Sequence, residues 1–190
     1  MSITTIQEKA LDAYGPILIK KGYEWVDLSD VSEAAGVDPE ELELAFPSKA
    51  LICESWMELT DERTKRHHEK ILSSDKSKRD VLDTYFKELE TFMIQHGFGG
   101  CPFTNTSRAL RGRSEPKIQQ RITEHKSEVR NFFLRLCNPV TLQPEIVGEA
   151  LFLIYSGATT ESANLQNMKP VLAGRQAALA LFDTYEFKQN

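Results

Sequence analysis

Apolar residues recur at three- and four-residue spacing along almost the whole chain, and no stretch alternates with period two. That property confines the sequence to an all-α fold, because a half-buried strand needs an alternation that is never offered. The first helical stretch, Ile3 to Lys21, carries Ala10, Leu11, Tyr14 and Leu18 as its apolar stripe. Pro16 inside it predicts a kink or break near Ala13. Asp27 is placed to cap a short second helix, with Asp30 at its N3 position and Gly36 at its end. Asp38-Pro39-Glu40-Glu41 then reads as a helix start: a cap, a proline at the first position, and acids in the first turn.

Pro47-Ser48 closes that third helix and caps a long fourth one, about Lys49 to Leu72, with Leu51, Ile52, Ser55, Trp56 and Leu59 facing inward. A polar link, Ser73 to Lys78, leads to a fifth helix with Val81, Leu82, Tyr85, Phe86, Leu89, Phe92 and Met93 on one face. Gly97 to Asn105 reads as a glycine-rich break before a short helix from about Thr106 to Leu110. Pro116 starts a long seventh helix bearing Ile118, Ile122, His125, Val129, Phe132, Phe133 and Leu136. Two last helices, about Glu145 to Gln166 and Pro170 to Phe187, hold Leu151, Ile154, Tyr155, Leu172, Leu179 and Phe182 among many small residues. The expectation is nine helices in two parts, three short ones in residues 1–50 and a larger bundle in 51–190.

With 41% hydrophobic residues the chain can bury a real core. Its longest apolar run, Ala150 to Tyr155, is far short of the roughly 20 residues a bilayer span needs, so no membrane partner is expected. The N-terminus has neither a basic start nor an apolar run, which reads as cytoplasmic. Cys53, Cys101 and Cys137 are scattered and match no metal or redox spacing, and Cys101 is expected to be an inert buried thiol. His67 and His68 are adjacent on a helix and point about 100° apart, so they read as a solvated basic face rather than a metal site. No metal or cofactor is expected. No serine–histidine–acid order, inward carboxylate pair or phosphate loop is present, which argues against an enzyme. Arg108, Arg111 and Arg113 read as a solvated turn.

Charge is unevenly placed. Residues 1–50 hold four lysines against ten carboxylates, a net of −6 in a chain whose total is −5.

Ala10 to Ile52 resembles, in register, the N-terminal signature of the tetracycline-repressor (TetR) family of bacterial regulators. The matching pieces are Lys21-Gly22-Tyr23 at the end of the first helix, Val31 with Ala34-Ala35-Gly36-Val37, and Phe46-Pro47-Ser48-Lys49 before the next helix. Gly100 to Asn105 is similar to a segment many members carry before their sixth helix, and the last two helices resemble the family's dimerisation pair. The resemblance implies a helix-turn-helix, DNA-binding-like domain over residues 1–50 and a ligand-binding and dimerisation domain over 51–190. It implies a homodimer that represses transcription until a ligand shifts the population of DNA-competent states. Trp56, Tyr85, Phe86, Phe92, Phe103 and Phe132 would then line a cavity for a small apolar or aromatic ligand, within an inner surface that also holds Phe98 and Phe133. His96, Asn105, His125 and Tyr155 would supply its polar anchors. Leu151, Ile154, Gly157, Ala158, Ala173, Ala177 and Ala180 would meet a second copy.

The third helix departs from the family. Where typical members present a small residue, a hydroxyl, a tyrosine and often a histidine, this chain has Glu40, Glu41, Glu43 and Ala45. Helical spacing sets Leu42, Ala45 and Phe46 inward, leaving the three glutamates and Leu44 outward. Two like charges about 4 Å apart repel by about 1 kcal/mol in water. Three carboxylates on each of two heads would then cost several kcal/mol, comparable with the about 5–8 kcal/mol that non-specific DNA binding is worth in all. Two readings stay open. The head meets operator DNA with Lys49, Glu40, Glu41, Glu43 and Leu44, or its acidic surface binds a protein partner instead.

Overall fold

The computed structural model describes residues 5–186. Among these the chain forms nine helices and no strand. They are α1 (Thr5–Lys21), α2 (Leu28–Ala35), α3 (Pro39–Ala45), α4 (Lys49–Leu72), α5 (Lys78–Gln95), α6 (Pro102–Ala109), α7 (Pro116–Cys137), α8 (Pro144–Leu165) and α9 (Lys169–Tyr185). The expected caps form. The Asp38 carboxylate accepts the Glu40 N–H at 2.9 Å, and the Ser48 hydroxyl accepts the Leu51 N–H at 3.1 Å. At the start of α2 the Asp30 carboxylate reaches back to the Asp27 N–H at 3.0 Å. Gly36 ends α2 in the left-handed region, at φ 61°, where a side chain would be strained.

Two helices differ from expectation. α1 is one continuous helix through Pro16, which lies on its exposed side, so the break does not occur. α6 begins at Pro102, four residues before Thr106, because proline suits the first helical position and the glycine run ends at Gly100.

By packing, the chain falls into two compact units: residues 1–62 with 101–124, and residues 63–100 with 125–190. The first unit is built on a core of Leu11, Tyr14, Leu18, Val31, Leu42, Phe46, Met57 and Phe103. In the first half of α4 the buried apolar positions are Ile52, Cys53, Trp56 and Met57, with Leu51 and Leu59 partly buried against the same core, so the inward stripe is wider than expected and takes in Cys53 and Met57. Trp56 lies against α1 only because residue 15 is glycine: a β-carbon there would stand 2.5 Å from the indole Nε1.

The core of the second unit is aromatic-rich, with Tyr85, Phe86, Phe132, Phe133 and Phe182 buried beside Leu82, Leu136 and Leu151. α8 approaches α7 so closely that a β-carbon on Gly148 would lie 2.9 Å from the Leu134 Cα. Backbone cannot step aside as a side chain can. Gly148→Ala is therefore expected to destabilise the protein by about 1–3 kcal/mol. Gly157→Ala, where a β-carbon meets nothing within 4 Å, should be neutral or slightly stabilising. Urea unfolding of the two variants checks the contrast, and equal stabilities would disprove the close approach.

Candidate functional site

Three places gather the residues the sequence singled out. The first is the outer face of α3. Leu42 and Phe46 are buried, at 1% and 2% exposure, and this anchors the helix. Glu40, Glu41 and Glu43 therefore project outward, and Leu44 is 87% exposed. Three of the first unit's cations are engaged within it. Lys49 donates to the Glu24 carbonyl at 3.1 Å and sits 5.2 Å from the Tyr23 ring centre. Lys21 pairs with Asp30 at 2.6 Å, and Arg113 with Glu24 at 2.9 Å. Lys21, with the Asp27 N–H, holds the Asp30 carboxyl below its usual range. Arg108 and Arg111 are exposed in the turn that ends α6. By sequence the first unit carries nine basic and sixteen acidic residues, a net of −7, which leaves +2 for the second.

The second place is a buried polar cluster in the second unit that sequence reasoning missed. His68, expected on a solvated face, is fully buried. Its Nδ1 lies 2.9 Å from a Glu128 carboxylate oxygen and its Nε2 lies 3.0 Å from the Tyr85 hydroxyl. A carboxylate oxygen only accepts, so the network places the ring hydrogen on Nδ1 and leaves Nε2 to accept from Tyr85. The ring stacks on Phe132, with centroids 4.4 Å apart. Burial pushes the His68 pKa down, against the pull of Glu128, and His67 and His125 add to the depression. Its neighbour His67 faces outward and pairs with Glu88 at 2.8 Å. The residues expected to line a ligand chamber divide between the units. Tyr85, Phe86, Phe92, His96, His125, Phe132 and Tyr155 belong to the second. Trp56, Phe103 and Asn105 belong to the first, where the Trp56 and Phe103 rings lie 5.9 Å apart. The Phe92 and His96 rings lie 4.6 Å apart, and burial lowers the His96 pKa.

The third place is the outer side of α8 and α9. Gly157, Ala173, Ala177 and Ala180 are exposed there, while Leu151 and Ala158 are buried within the unit and Ile154 is half-buried. Ile146 and Leu153, which the sequence did not flag, and Leu172, which it counted among the apolar residues of the pair, are 64%, 58% and 43% exposed on the same two helices. Clustered exposed apolar groups of this kind are a general feature of interaction surfaces.

Among the described residues no three histidines, cysteines or acids group as a metal site. Cys53 and Cys137 are buried free thiols, and burial pushes both up to about 12, which makes them unreactive. Cys101 is half-buried rather than buried. No described helix is long and apolar enough to cross a membrane.

No family model matches the chain, and no curated protein matches it in sequence. Solved structures do match in shape. A TetR transcriptional regulator from Legionella pneumophila superposes with a TM-score of 0.84 at 12% identity, over 98% of this chain and all of that one. The regulatory protein TetR from Rhodobacter sphaeroides gives 0.82 at 18% identity, over 94% of this chain and 99% of its own. Reduced NemR from E. coli gives 0.81 at 16% identity, over 97% and 98%. At such identities the likeness is one of architecture, and the chain has the all-α fold of the TetR-family transcriptional regulators, a helix-turn-helix head followed by a helical C-terminal part.

Proposed function

We propose that the protein is a ligand-responsive, homodimeric transcriptional regulator acting in the cytoplasm, and not an enzyme. The observation that carries this reading is the exposed apolar stripe on α8 and α9, on a chain whose fold is shared end to end with TetR-family regulators. Ile146, Leu153 and Leu172 lie beside the small residues Gly157, Ala173 and Ala177, which allow two copies to approach closely. The ligand is a small apolar or aromatic molecule held among Tyr85, Phe86, Phe92, Phe132 and Tyr155, with His96 and His125 as polar anchors. Its binding shifts the population of two head arrangements, which requires different affinity for each.

Operator contact in this reading is weak. The outward face of α3 repels phosphate, and Lys49 is held by its own head. Light scattering tests the assembly. The native protein is expected to run as a dimer, and Gly157→Arg or Ala177→Arg as a folded monomer with an unchanged circular dichroism spectrum. A monomeric native protein would remove the basis for the reading. Thermal-shift screening of aromatic acids and phenols then identifies the ligand class by the rise in melting temperature.

A further inference from the structure

The groove between α2 and α3 has a chemistry that DNA does not fit. Leu28 and Pro39 give it apolar surface above the buried Leu42, and its volume is about 330 Å³. Glu33 from α2 and Glu43 from α3 line its two sides, and both are exposed. The Ser32 hydroxyl, also in the lining, donates to the Val37 carbonyl at 2.7 Å and is satisfied, whereas Ser29 is exposed on the rim. Beyond the groove α3 continues with Glu40, Glu41 and the exposed Leu44. Nucleic acid and anionic lipid would both bring phosphates against these carboxylates, with Lys21, Lys49 and Arg113 already engaged elsewhere.

An occupant must therefore be cationic along its length and apolar at one point. We infer that the groove receives a lysine- or arginine-rich segment of another protein that carries one apolar side chain. That side chain seats on Leu28 and Pro39. Its flanking cations meet Glu33 and Glu43, and further ones follow α3 along Glu40 and Glu41. Charge complementarity sets the partner's sign and speeds encounter, and the apolar floor sets register. The head then acts on transcription through a basic protein rather than through the operator.

Fluorescence anisotropy on the full chain tests this with a short labelled peptide of lysines and glycines around one central leucine. The same peptide with serine in place of leucine, spermine, and a mixed-sequence DNA duplex serve as comparison probes. The leucine peptide is expected to bind about tenfold tighter than the serine peptide, as burial of one leucine predicts. Glu33→Gln with Glu43→Gln should weaken it about three- to tenfold and flatten its salt dependence. Ser29→Tyr fills the groove without altering charge, and should erase the advantage of leucine over serine while leaving the salt-sensitive part. Equal binding of the two peptides, or indifference to Ser29→Tyr, would reduce the effect to polycation adsorption and overturn the assignment. Tighter binding of the duplex than of the leucine peptide would hand the surface to DNA and overturn it as well. Because this partner would be recruited by the regulator proposed above, light scattering is run alongside. A monomer that still discriminates leucine from serine keeps the groove and sinks the regulator, and a dimer that does not discriminate does the reverse.

Discussion

His68→Ala is expected to destabilise the protein by about 2–4 kcal/mol, through a cavity beneath Phe132 and loss of two buried hydrogen bonds. The fully buried Tyr85 hydroxyl would lose the His68 nitrogen and be left with Tyr155, and Glu128 would lose the N–H that holds it. Far-UV circular dichroism in urea is the suitable measurement, because Trp25 and Trp56 both lie in the other compact unit and would not report the change directly. A cost below about 1 kcal/mol, the size of a single exposed contact, would mean that the cluster is solvated. The same group gives stability a pH dependence of predictable sign. Burial sets the folded pKa of His68 below its ordinary 6.5, with Glu128 opposing and His67 and His125 assisting. The unfolded chain therefore takes the proton first. Stability from the neutral ring is complete above 6.5 and falls as the pH drops from there toward the folded value. The difference between native protein and His68→Gln should be flat above neutrality and shrink in acid. A difference that grew in acid would reverse the assignment.

Glu40→Gln, Glu41→Gln and Glu43→Gln combined should raise affinity for a mixed DNA duplex at low salt by about 10- to 100-fold. Removal of about 1–3 kcal/mol of repulsion produces a change of that size. All three side chains project from α3 into solvent, so the substitutions remove charge without disturbing the core formed by Leu42 and Phe46. Leu44→Gln, which changes the same surface without changing charge, is the control. Tight operator binding by the native protein, unaltered by the three substitutions, would show that the carboxylates do not face the duplex.

The head was largely legible because its signals are local. Asp38 followed by proline, Gly36 at a left-handed position and Ser48 before α4 each act within a few residues of themselves, and each does in the structure what its position implied. The start of α6 was not legible in the same way. Cys101 precedes it without capping it by side chain, so only Pro102 marked the turn from glycine-rich break to helix. His68 was hidden for a different reason. It stands in a run of basic and acidic residues, and what buries it is tertiary: Tyr85 from α5 with Glu128 and Phe132 from α7. Periodicity cannot see a partner sixty residues away. The aromatic set was found residue by residue, yet its division between two compact units depends on how α4 and α7 are shared between them, which spacing does not encode.

α8 keeps two obligations apart on one rod. Gly148 is locked against the Leu134 backbone, and Ala158 stands where a β-carbon on Gly174 would come within 2.8 Å, so these sites tolerate almost no change of size. A β-carbon on Gly157 meets nothing of its own chain, so added bulk there leaves that interior alone. On the dimer proposed above, duplicated copies of such a gene would drift apart in whom they pair with by altering one residue's bulk, while the interior that makes each copy viable is left untouched.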